Sequence, residues 1–433
     1  MRKLALAAAL MALGGGLSGC ATAVSPADYP VTSFGAVGDG VTKDTAAIQR
    51  AVDAAAAAGG GRVVVPAGTF LSGTVYLKSR VELHLAAGAR LLGSPDVRDY
   101  CAADAYPQNT ASPRRESDLD GENTTGGHLL VAVEQTNIAL TGPGTVDGNG
   151  LSFATYPDGR ERPHQRDYEA RPSQMIHFCE CENVRITDVN LVNPPFWTCL
   201  LHGCDHVFVR GVRVDVPRKP HILNGDGFSI DTCRFVTMSD SQISSYDDGI
   251  TIRGNGRRLR RPGRECAHVT VANCTITSRT NGIRIGVGTN AIHDVVFSNV
   301  SVYDSPTAVN FCPAWAGKGG TPIRDVRLSN FTVDCGSFLR MHRFGAKTPL
   351  TDVTIDGVTG QCSNTSRILT VPELPFERIR LRNFNVREKR PGESVFINVK
   401  DFELTGTVRG QTLTAEGQRE LEQIIREGRW HQW

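Results

Sequence analysis

The sequence has little net charge, and no two of its cysteines are spaced as a C-x-x-C pair. Its 47 Lys and Arg residues nearly balance its 45 Asp and Glu residues, which leaves a net charge of +2. Such a balance gives no reason to expect a nucleic-acid partner, and the cysteine spacing gives no reason to expect a metal or another cofactor. Glycine is abundant, at 45 of 433 residues, and indicates a globular chain with many turns.

The N-terminus lacks an apolar run long enough to span a membrane. Two basic residues precede an apolar stretch over residues 4–13, which is the pattern of a secretory signal. The stretch ends in Leu17-Ser18-Gly19-Cys20, which resembles the lipobox of bacterial lipoproteins, so residues 1–20 are predicted to be a lipoprotein-type signal peptide with Cys20 as the lipid anchor. Because Ala21 is not the Asp of inner-membrane lipoproteins, we expect an outer-membrane lipoprotein of a Gram-negative bacterium, in the periplasm or at the cell surface. An ordinary secretory signal is the alternative.

The other eleven cysteines are an odd number, and several of them lie in or beside apolar, strand-like runs. Buried thiols are the ordinary expectation for such positions. An oxidising compartment also allows one or two disulfides.

Residues 31–93 form one unit with a clear order of elements. A strand and a turn come first, and Asp44 is placed as the N-cap of an Ala-rich helix over residues 45–58. Ile48 and Val52 share one face of this helix, and three consecutive glycines end it. Short β-rich runs follow, so the helix is predicted to cap one end of a β structure.

From about residue 129 onward, one nine-residue pattern recurs. It alternates apolar and polar residues and carries a small turn residue at a constant place. Its copies begin at Asn183, His206, Phe235, His268, Asp294, Asp325, Asp352 and Arg378, and its turn residues are Asp188, Gly211, Asp240, Asn273, Asn299, Asn330 and Asn383. Successive copies are about 23 to 33 residues apart, a spacing typical of stacked coils. The pattern predicts an all-β chain folded as a single-domain parallel β-helix.

The domain boundaries follow from this pattern. Residues 21–30 are a linker, residues 31–412 the β-helix, and residues 413–433 a helical tail that caps the other end. A monomer is expected. Two polar stretches, 100–127 and 151–173, interrupt the strand pattern and are interpreted as long loops on one rim, where solenoids often carry function.

Counting from the start of each copy brings acidic residues together. Residues thirteen positions after the start of each copy are expected to stack in one column. In the copy that begins at His206 the count is twenty, because seven residues are inserted near Pro217. The predicted column is Phe196, Asp226, Asp248, Asn281 and Thr307. Neighbouring coils are about 4.8 Å apart. Asp226 and Asp248 are therefore predicted to be stacked neighbours, with Asp247 beside them.

Three carboxylates this close cannot all ionise easily, so the pKa of at least one is expected to rise. A pair divided in this way can supply the proton donor and the water-activating base of glycoside hydrolysis. The alternatives are a solvated acidic corner and a Ca²⁺ site.

The motifs around these acids resemble the polygalacturonase family, glycoside hydrolase family 28. The resemblance extends over about residues 31–312: residues 34–94 are similar to the family's first coils and capping helix, and 193–214 to the coil before its site. N-G-D-G at 224–227 is similar to the family's N-T-D-G, and Asp247-Asp248 to its D-D pair. The resemblance implies a right-handed β-helix, a pectic polysaccharide or oligosaccharide as partner, and hydrolysis of galacturonan with inversion. Asp247 would be the general acid, and Asp226 and Asp248 would hold and activate the water.

The chain departs from the family in the next two coils. Where the family has G-H-G, this chain has Arg279-Thr280-Asn281, so Thr280 is interpreted as the replacement for the histidine. Where the family has R-I-K, this chain has Asn310-Phe311-Cys312. Arg284 is predicted to lie in the column of the missing arginine, one coil earlier, and to take over its grip on the sugar carboxylate. These departures make a rhamnogalacturonan or another uronate-containing glycan an alternative substrate.

The predicted substrate-binding residues are Asn224, Arg253, Thr280, Asn281 and Arg284. His221 is a second candidate to replace the missing histidine, and Tyr246, Trp197 and Trp315 are considered as sugar-stacking faces, with Trp197 favoured as core. The basic loop over residues 257–264 is a candidate for holding a polyanion, or a solvated loop.

Two other functions fit the same fold. A non-catalytic glycan-binding β-helix could have kept the acids by descent. A Ca²⁺-assisted polysaccharide lyase would need an Arg or Lys base, for which Arg253 and Arg284 are available.

Overall fold

A computed structural model of the chain describes residues 27–109, 124–156, 158–160, 171–313, 320–342, 347–364, 366–370, 373–388, 394–397, 399–406 and 410–411. The predicted signal peptide with Cys20, the helical tail at 413–433 and Trp315 lie outside these residues. No helix within the described residues is long and apolar enough to cross a membrane.

Short strands make up most of the described chain. In order they are β1 Asp28–Pro30, β2 Asp39–Lys43, β3 Gly61–Val65, β4 Gly68–Ser72, β5 Val75–Tyr76, β6 Val81–Leu85, β7 Ala89–Gly93, β8 Leu130–Val133, β9 Thr136–Thr141, β10 Thr145–Asp147, β11 Ile176–Cys179, β12 Glu182–Thr187, β13 Asn190–Val192, β14 Cys199–His202, β15 Asp205–Arg210, β16 Arg213–Asp215 and β17 Phe228–Asp231. The second half contains β18 Arg234–Ser239, β19 Gln242–Ser244, β20 Ile250–Gly254, β21 Cys266–Ala272, β22 Thr275–Thr277, β23 Asn281–Gly288, β24 Ile292–Tyr303, β25 Thr307–Cys312, β26 Val326–Cys335, β27 Ser337–His342, β28 Thr351–Cys362, β29 Arg367–Leu369, β30 Phe376–Glu388, β31 Ser394–Ile397, β32 Val399–Lys400, β33 Glu403–Gly406 and β34 Gly410–Gln411. The helices are α1 Thr45–Ala57, α2 Leu151–Ala154 and two 3-10 turns, Val31–Phe34 and Val97–Asp99.

These strands form two long sheets, one of 22 and one of 12 strands among the described residues. In the 12-stranded sheet each strand pairs in parallel with the strands of the preceding and following coils, as β14 does with β11 and β17. Side chains of alternate residues face inward and are buried in one continuous apolar core. This confirms the all-β, right-handed parallel β-helix. The first strand, β1, lies within residues 21–30 and pairs with β3, so strand pairing begins slightly before the predicted boundary at residue 31.

Single residues in the left-handed conformation turn the chain at each corner. All eight predicted start positions and all seven predicted turn residues have positive φ, between about 50° and 65°. Asn and Asp tolerate this conformation better than other non-glycine residues. The turn residues also stack: Asn330, Asn299 and Asn273 each donate a side-chain hydrogen bond of about 3.0–3.1 Å to the residue one coil earlier. The sequence repeat is therefore the structural coil.

The helix α1 covers the N-terminal end of the core, as predicted, and ends one residue earlier than expected. Ile48 and Val52 are fully buried against the first coils. Asp44 precedes the helix, but its carboxylate makes no cap hydrogen bond to it. Instead, Asp44 accepts hydrogen bonds from the backbone N–H groups of Val37 (2.7 Å) and Gly38 (3.0 Å), and so it holds the preceding turn.

The strand register corrects one member of the predicted column. Cys199, Phe228, Ile250, Ile283 and Val309 pair in succession. The column consists of the residues two positions before each of these. Two positions before Cys199 is Trp197, so the column contains Trp197 in place of Phe196. The prediction of Phe196 was wrong because the turn between β13 and β14 has six residues, whereas the turn between β19 and β20 has five. Asp226, Asp248, Asn281 and Thr307 lie in the column as predicted.

Candidate active site

The acidic residues lie where the chain enters strands of the 12-stranded sheet. Asp247 and Asp248 occupy the turn before β20, and Asp226 the equivalent place before β17. The Gly227 N–H donates to the Asp248 carbonyl (2.9 Å), which fixes the two coils together. A Cβ on Gly227 would lie 2.2 Å from the Gly249 carbonyl oxygen, and one on Gly249 would lie 2.5 Å from that of Gly282. Glycine must therefore follow each of these aspartates for the coils to stack.

Donors from the next coil surround Asp248. Its Oδ1 accepts a hydrogen bond from Asn281 Nδ2 (2.7 Å) and lies 3.1 Å from the Thr280 hydroxyl, and its Oδ2 is 2.9 Å from Arg284 Nε. Thr280 Oγ1 also donates to Asp247 Oδ1 at 2.7 Å. Asp248 is only 2% exposed, so these contacts replace the water that a free carboxylate would have.

The two other carboxylates are held toward their protonated forms. Burial, with Asp248 next to it, raises the pKa of Asp247 to about 6, against smaller opposing effects of Arg284 and Thr280. Burial, followed by the charges of Asp247 and Asp248, raises the pKa of Asp226 well above its usual range. The cluster thus combines proton-holding acids with one carboxylate that is paired to a cation, which is the division that acid–base catalysis needs.

Arg284 supplies the compensating charge of the cluster. Burial alone would lower its pKa, but Asp248, Cys312 and the other acids outweigh this effect, and the pKa of Arg284 is raised. Arg284 pairs with Asn310 in the strand register, which confirms its predicted column. Its guanidinium faces the acids, so the structure gives it a contact that the sequence did not predict. Because a fixed cation stands beside Asp248, the cluster is a poor site for Ca²⁺.

The register also bears on the residue that replaces the family's histidine. The Gly249 N–H donates a hydrogen bond of 2.9 Å to the Asn281 carbonyl. This bond places Gly282 one coil after Gly249 in the same stack. If Gly282 corresponds to the last glycine of G-H-G, Asn281 rather than Thr280 holds the histidine position. Both residues donate hydrogen bonds to the acids.

Arg253 lies beneath the site surface, which differs from its predicted role in substrate binding. Its guanidinium is 4.5 Å from the centre of the Trp197 ring and 3.5 Å from Asp231 Oδ2. It is 4% exposed and Trp197 is 7% exposed. Trp197 lies on the outer side of the sheet with Phe196, apart from the main core. Arg253 therefore supports Trp197 from below.

Arg171 is a site residue that the sequence did not reveal. It is 1% exposed, and it donates hydrogen bonds to the carbonyls of Pro195 (2.9 Å) and Leu223 (2.8 Å) and to the side chain of Asn224 (3.2 Å). It thereby fixes Asn224, which was predicted to bind substrate. Arg171 belongs to a polar loop rich in arginine, and no pattern distinguishes it from its neighbours.

The outer wall of the site contains aromatic and basic groups. His221 stacks on Tyr246 with ring centres 4.9 Å apart, next to Asp247. Farther along the same corner lies an open pocket of about 550 Å³. Its lining residues are Arg279, Tyr303, Asp304, Ser305, Pro306, Asp334, Cys335, Gly336 and Ser363. Arg279 is exposed there, at the turn that also holds Thr280.

The basic loop at residues 257–264 is tied to the protein. Arg264 is buried and pairs with Asp205, and Arg258 donates to the Asn109 carbonyl at 2.7 Å. Arg260 pairs with Glu134. These contacts hold part of the loop over the sheet. They account for three of its arginines without the polyanion binding that was predicted from the charge of the loop.

Comparison with known proteins gives the same picture. Residues 62–267 match the model of Glycosyl hydrolases family 28; this segment contains all three acids and ends before Thr280. The chain is 25% identical over 378 residues to a probable polygalacturonase of Vitis vinifera, covering 82% of this chain and 73% of the relative. It is 29% identical over 263 residues to an exo-poly-alpha-D-galacturonosidase of Dickeya chrysanthemi, covering 53% of this chain and 42% of the relative.

A similar fold is known from crystal structures. The exopolygalacturonase of Thermotoga maritima superposes with a TM-score of 0.68 at 19% identity, over 90% of this chain and 94% of that one. The stacked coils, the acids of N-G-D-G and D-D-G and the family match agree with one another. The chain is therefore similar to glycosyl hydrolase family 28 over residues 62–267.

Proposed function

We propose that this chain is a glycosidase of polygalacturonase type that cleaves galacturonate-containing pectic glycans with inversion. The observation that carries the proposal is the division within the acid cluster. Asp247 has a pKa of about 6, raised mainly by burial, and can hold a proton, while Asp248 is paired with Arg284. A general acid and a second carboxylate that activates a water are the two groups that an inverting hydrolase uses.

In the proposed reaction, Asp247 gives its proton to the glycosidic oxygen as the bond to the anomeric carbon breaks. Asp226 and Asp248 hold a water on the opposite face of the sugar ring. The water oxygen bonds to the anomeric carbon, and the released proton passes to Asp248, the carboxylate that is paired with Arg284. One bond to oxygen is broken and one is formed on the other face, so the product has inverted configuration. Proton exchange with solvent restores the starting state.

The substrate class is proposed from the surroundings of the acids. A galacturonate unit carries a carboxylate and an apolar ring face. Exposed Arg279 lines the adjoining pocket, and the His221–Tyr246 pair offers an aromatic face beside Asp247. The volume of about 550 Å³ is within the usual range of small-molecule sites. Two of the relatives are named as a probable polygalacturonase and an exo-poly-alpha-D-galacturonosidase, in keeping with this choice.

The test is the product of hydrolysis and its dependence on Asp247. Polygalacturonate and defined pectic oligosaccharides are incubated with the enzyme, and proton NMR records the first anomer formed. We expect the inverted anomer from the native chain and a fall in kcat of roughly 10²- to 10⁴-fold in Asp247→Asn. Asp240→Asn is the matched control, because Asp240 is an exposed corner residue of the same coil. A retained anomer, or full activity in Asp247→Asn, would refute the proposal.

The same assay separates the two other functions. A lyase needs an available base, but Arg253 is buried under Trp197 and the acids raise the pKa of Arg284. Unsaturated products that absorb in the ultraviolet would nevertheless establish one. Retention of a pectic oligosaccharide without any product would establish a binding protein.

We also propose that the chain is an outer-membrane lipoprotein anchored at Cys20. The support is the Leu17-Ser18-Gly19-Cys20 sequence after a short apolar stretch. Metabolic labelling with a radioactive fatty acid in a Gram-negative host tests it. We expect label in the native chain and none in Cys20→Ser; label in neither would indicate an ordinary secretory signal.

A further inference from the structure

A second polar cluster lies on the outer side of the 12-stranded sheet, two coils before the acids. His177 and Cys179 point outward from β11, and His202 lies beside Cys179 on β14, in register. All three are fully buried. One ligand atom from each, a ring nitrogen or a sulfur, lies within 4.8 Å of the other two.

The hydrogen bonds of His202 fix its tautomer. Its Nε2 is 2.9 Å from the backbone carbonyl of Asn255, which can only accept, so Nε2 carries the hydrogen. The lone pair is then on Nδ1, which lies 4.0 Å from the sulfur of Cys179. A ring that donates one N–H to a carbonyl and presents its other nitrogen is the usual state of a metal-bound histidine.

His177 is prepared in a similar way. Its Nδ1 is 2.7 Å from the Tyr106 hydroxyl. Its Nε2 is buried and has no hydrogen-bond partner among the residues that the structure describes. A buried polar nitrogen without a partner is costly and calls for an explanation. With Nδ1–H donated to Tyr106, the unpartnered Nε2 presents a lone pair toward the cluster.

A bound metal ion would change the state of the buried Cys179 thiol. Metal binding releases the proton of a coordinating thiol, so the thiolate and the cation would compensate each other's charge in a site from which water is excluded.

The cluster has a cover made of two loops. Tyr106 and Gln108 belong to one loop, and Gln108 Nε2 donates to Glu134 (2.6 Å) and Glu180 (3.0 Å). Asn255 begins the other loop, the basic one, which is tied to the first by the Arg258–Asn109 hydrogen bond. Each loop thus supplies one group that orients a histidine of the cluster.

The geometry points to a metal site in which His177 Nε2, Cys179 Sγ and His202 Nδ1 bind a Zn²⁺-type divalent ion. Two imidazoles and one thiolate are ligands that suit zinc, which needs no redox change. Binding releases one proton, from Cys179. Because Tyr106 and Asn255 orient the ligands, the ion would hold both cover loops against the sheet.

The test uses Co²⁺ as a coloured substitute for Zn²⁺. Metal-free, reduced protein is titrated with Co²⁺ and the thiolate-to-metal absorption in the near ultraviolet is recorded. We expect a band that saturates at one ion per chain, is displaced by Zn²⁺, and strengthens as the pH rises. Cys179→Ser should abolish the band, and His202→Phe should weaken or abolish binding. Cys274→Ser, which removes a buried thiol on another coil, should leave it unchanged.

Two further measurements distinguish ligation from a structural role. Tyr106→Phe should keep the band but weaken affinity by roughly 10- to 100-fold, as expected for a group that orients a ligand. Zn²⁺ should raise the thermal midpoint of the native chain and not that of Cys179→Ser. The proposal is overturned if the native chain shows no saturable band, or if the band survives in Cys179→Ser. Cys179 and His202 would then form only a thiol–imidazole hydrogen bond.

Discussion

Two arginine–aspartate pairs lie one coil apart on the same sheet, and they differ in their neighbours. Arg284 is 2.9 Å from Asp248, and Arg253 is 3.5 Å from Asp231. All four side chains are largely buried, at 14% exposure or less. Asp248 has two other carboxylates beside it, whereas Arg253 lies under an indole ring.

The comparison teaches that register alone does not give a charged pair its role. In the acid cluster, excess negative charge leaves protons that can move, as the raised pKa values of Asp226 and Asp247 indicate. In the Arg253 pair, charge is balanced and covered. We therefore infer that the first pair serves chemistry and the second serves stability.

Asp248→Asn should have the largest effect and act on catalysis. It removes the charged carboxylate that holds the water, so kcat is expected to fall about 10²- to 10⁴-fold. Its effect on stability should be smaller than that of breaking the other pair, because Arg284 still faces Asp247 and Asp226. Reducing-sugar release and urea unfolding measure the two effects. If Asp248→Asn destabilised the fold but left kcat per folded molecule unchanged, the Arg284–Asp248 pair would serve stability and not catalysis.

Asp231→Asn should have the next largest effect and act on stability. It leaves Arg253 buried without a carboxylate, at an expected cost of about 3–5 kcal/mol near neutral pH. Burial raises the pKa of Asp231, against the effects of His202 and Arg253. Because its pKa is raised in the folded state, the native chain loses stability as the pH rises through that value, so the cost of Asp231→Asn should be larger at acid pH than at pH 8. Urea unfolding at two pH values checks this, and a fall in kcat in fully folded variant would contradict it.

The sequence predicted the coils well because their determinants are local. The alternation of apolar residues and the Asn, Asp and His positions with positive φ can be read within nine residues. The same register placed Asp226, Asp248, Asn281 and Thr307 in one column, and Arg284 opposite Asn310.

The remainder depends on contacts that no repeat encodes. Trp197 replaced Phe196 in the column because turn length varies between coils without a change in the strand pattern. Arg253 stands at an outward strand position, which would be exposed if Trp197 did not cover it. Arg171 reaches Asn224 across 53 residues of sequence, and only the folded chain brings them together.

Asp226→Asn tests charge repulsion in the acid cluster through the pH dependence of the free energy of unfolding. The pKa of Asp226 is raised in the folded state, so the native chain loses stability as the pH rises through that value. The side-chain amide in Asp226→Asn does not ionise, so the variant does not lose stability in this way. We expect Asp226→Asn to be more stable than the native chain by about 1–3 kcal/mol at pH 8, and to show no gain near pH 4. Urea unfolding at both values tests this, and an equal gain at both would exclude an origin in charge repulsion.

Thr280→Val should have the smallest effect, confined to the pH profile. The Thr280 hydroxyl donates to Asp247 Oδ1 at 2.7 Å and so favours the ionised form of that acid. Without it the pKa of Asp247 rises above its value of about 6. Because a general acid works only while protonated, activity is lost as the pH rises through this pKa. The alkaline limb of kcat/KM should therefore move upward by about half a unit to one unit. Thr280→Ser keeps the hydroxyl and should keep the native profile. If the limb moved downward, or moved equally in both variants, Thr280 would act on packing instead of on the proton of Asp247.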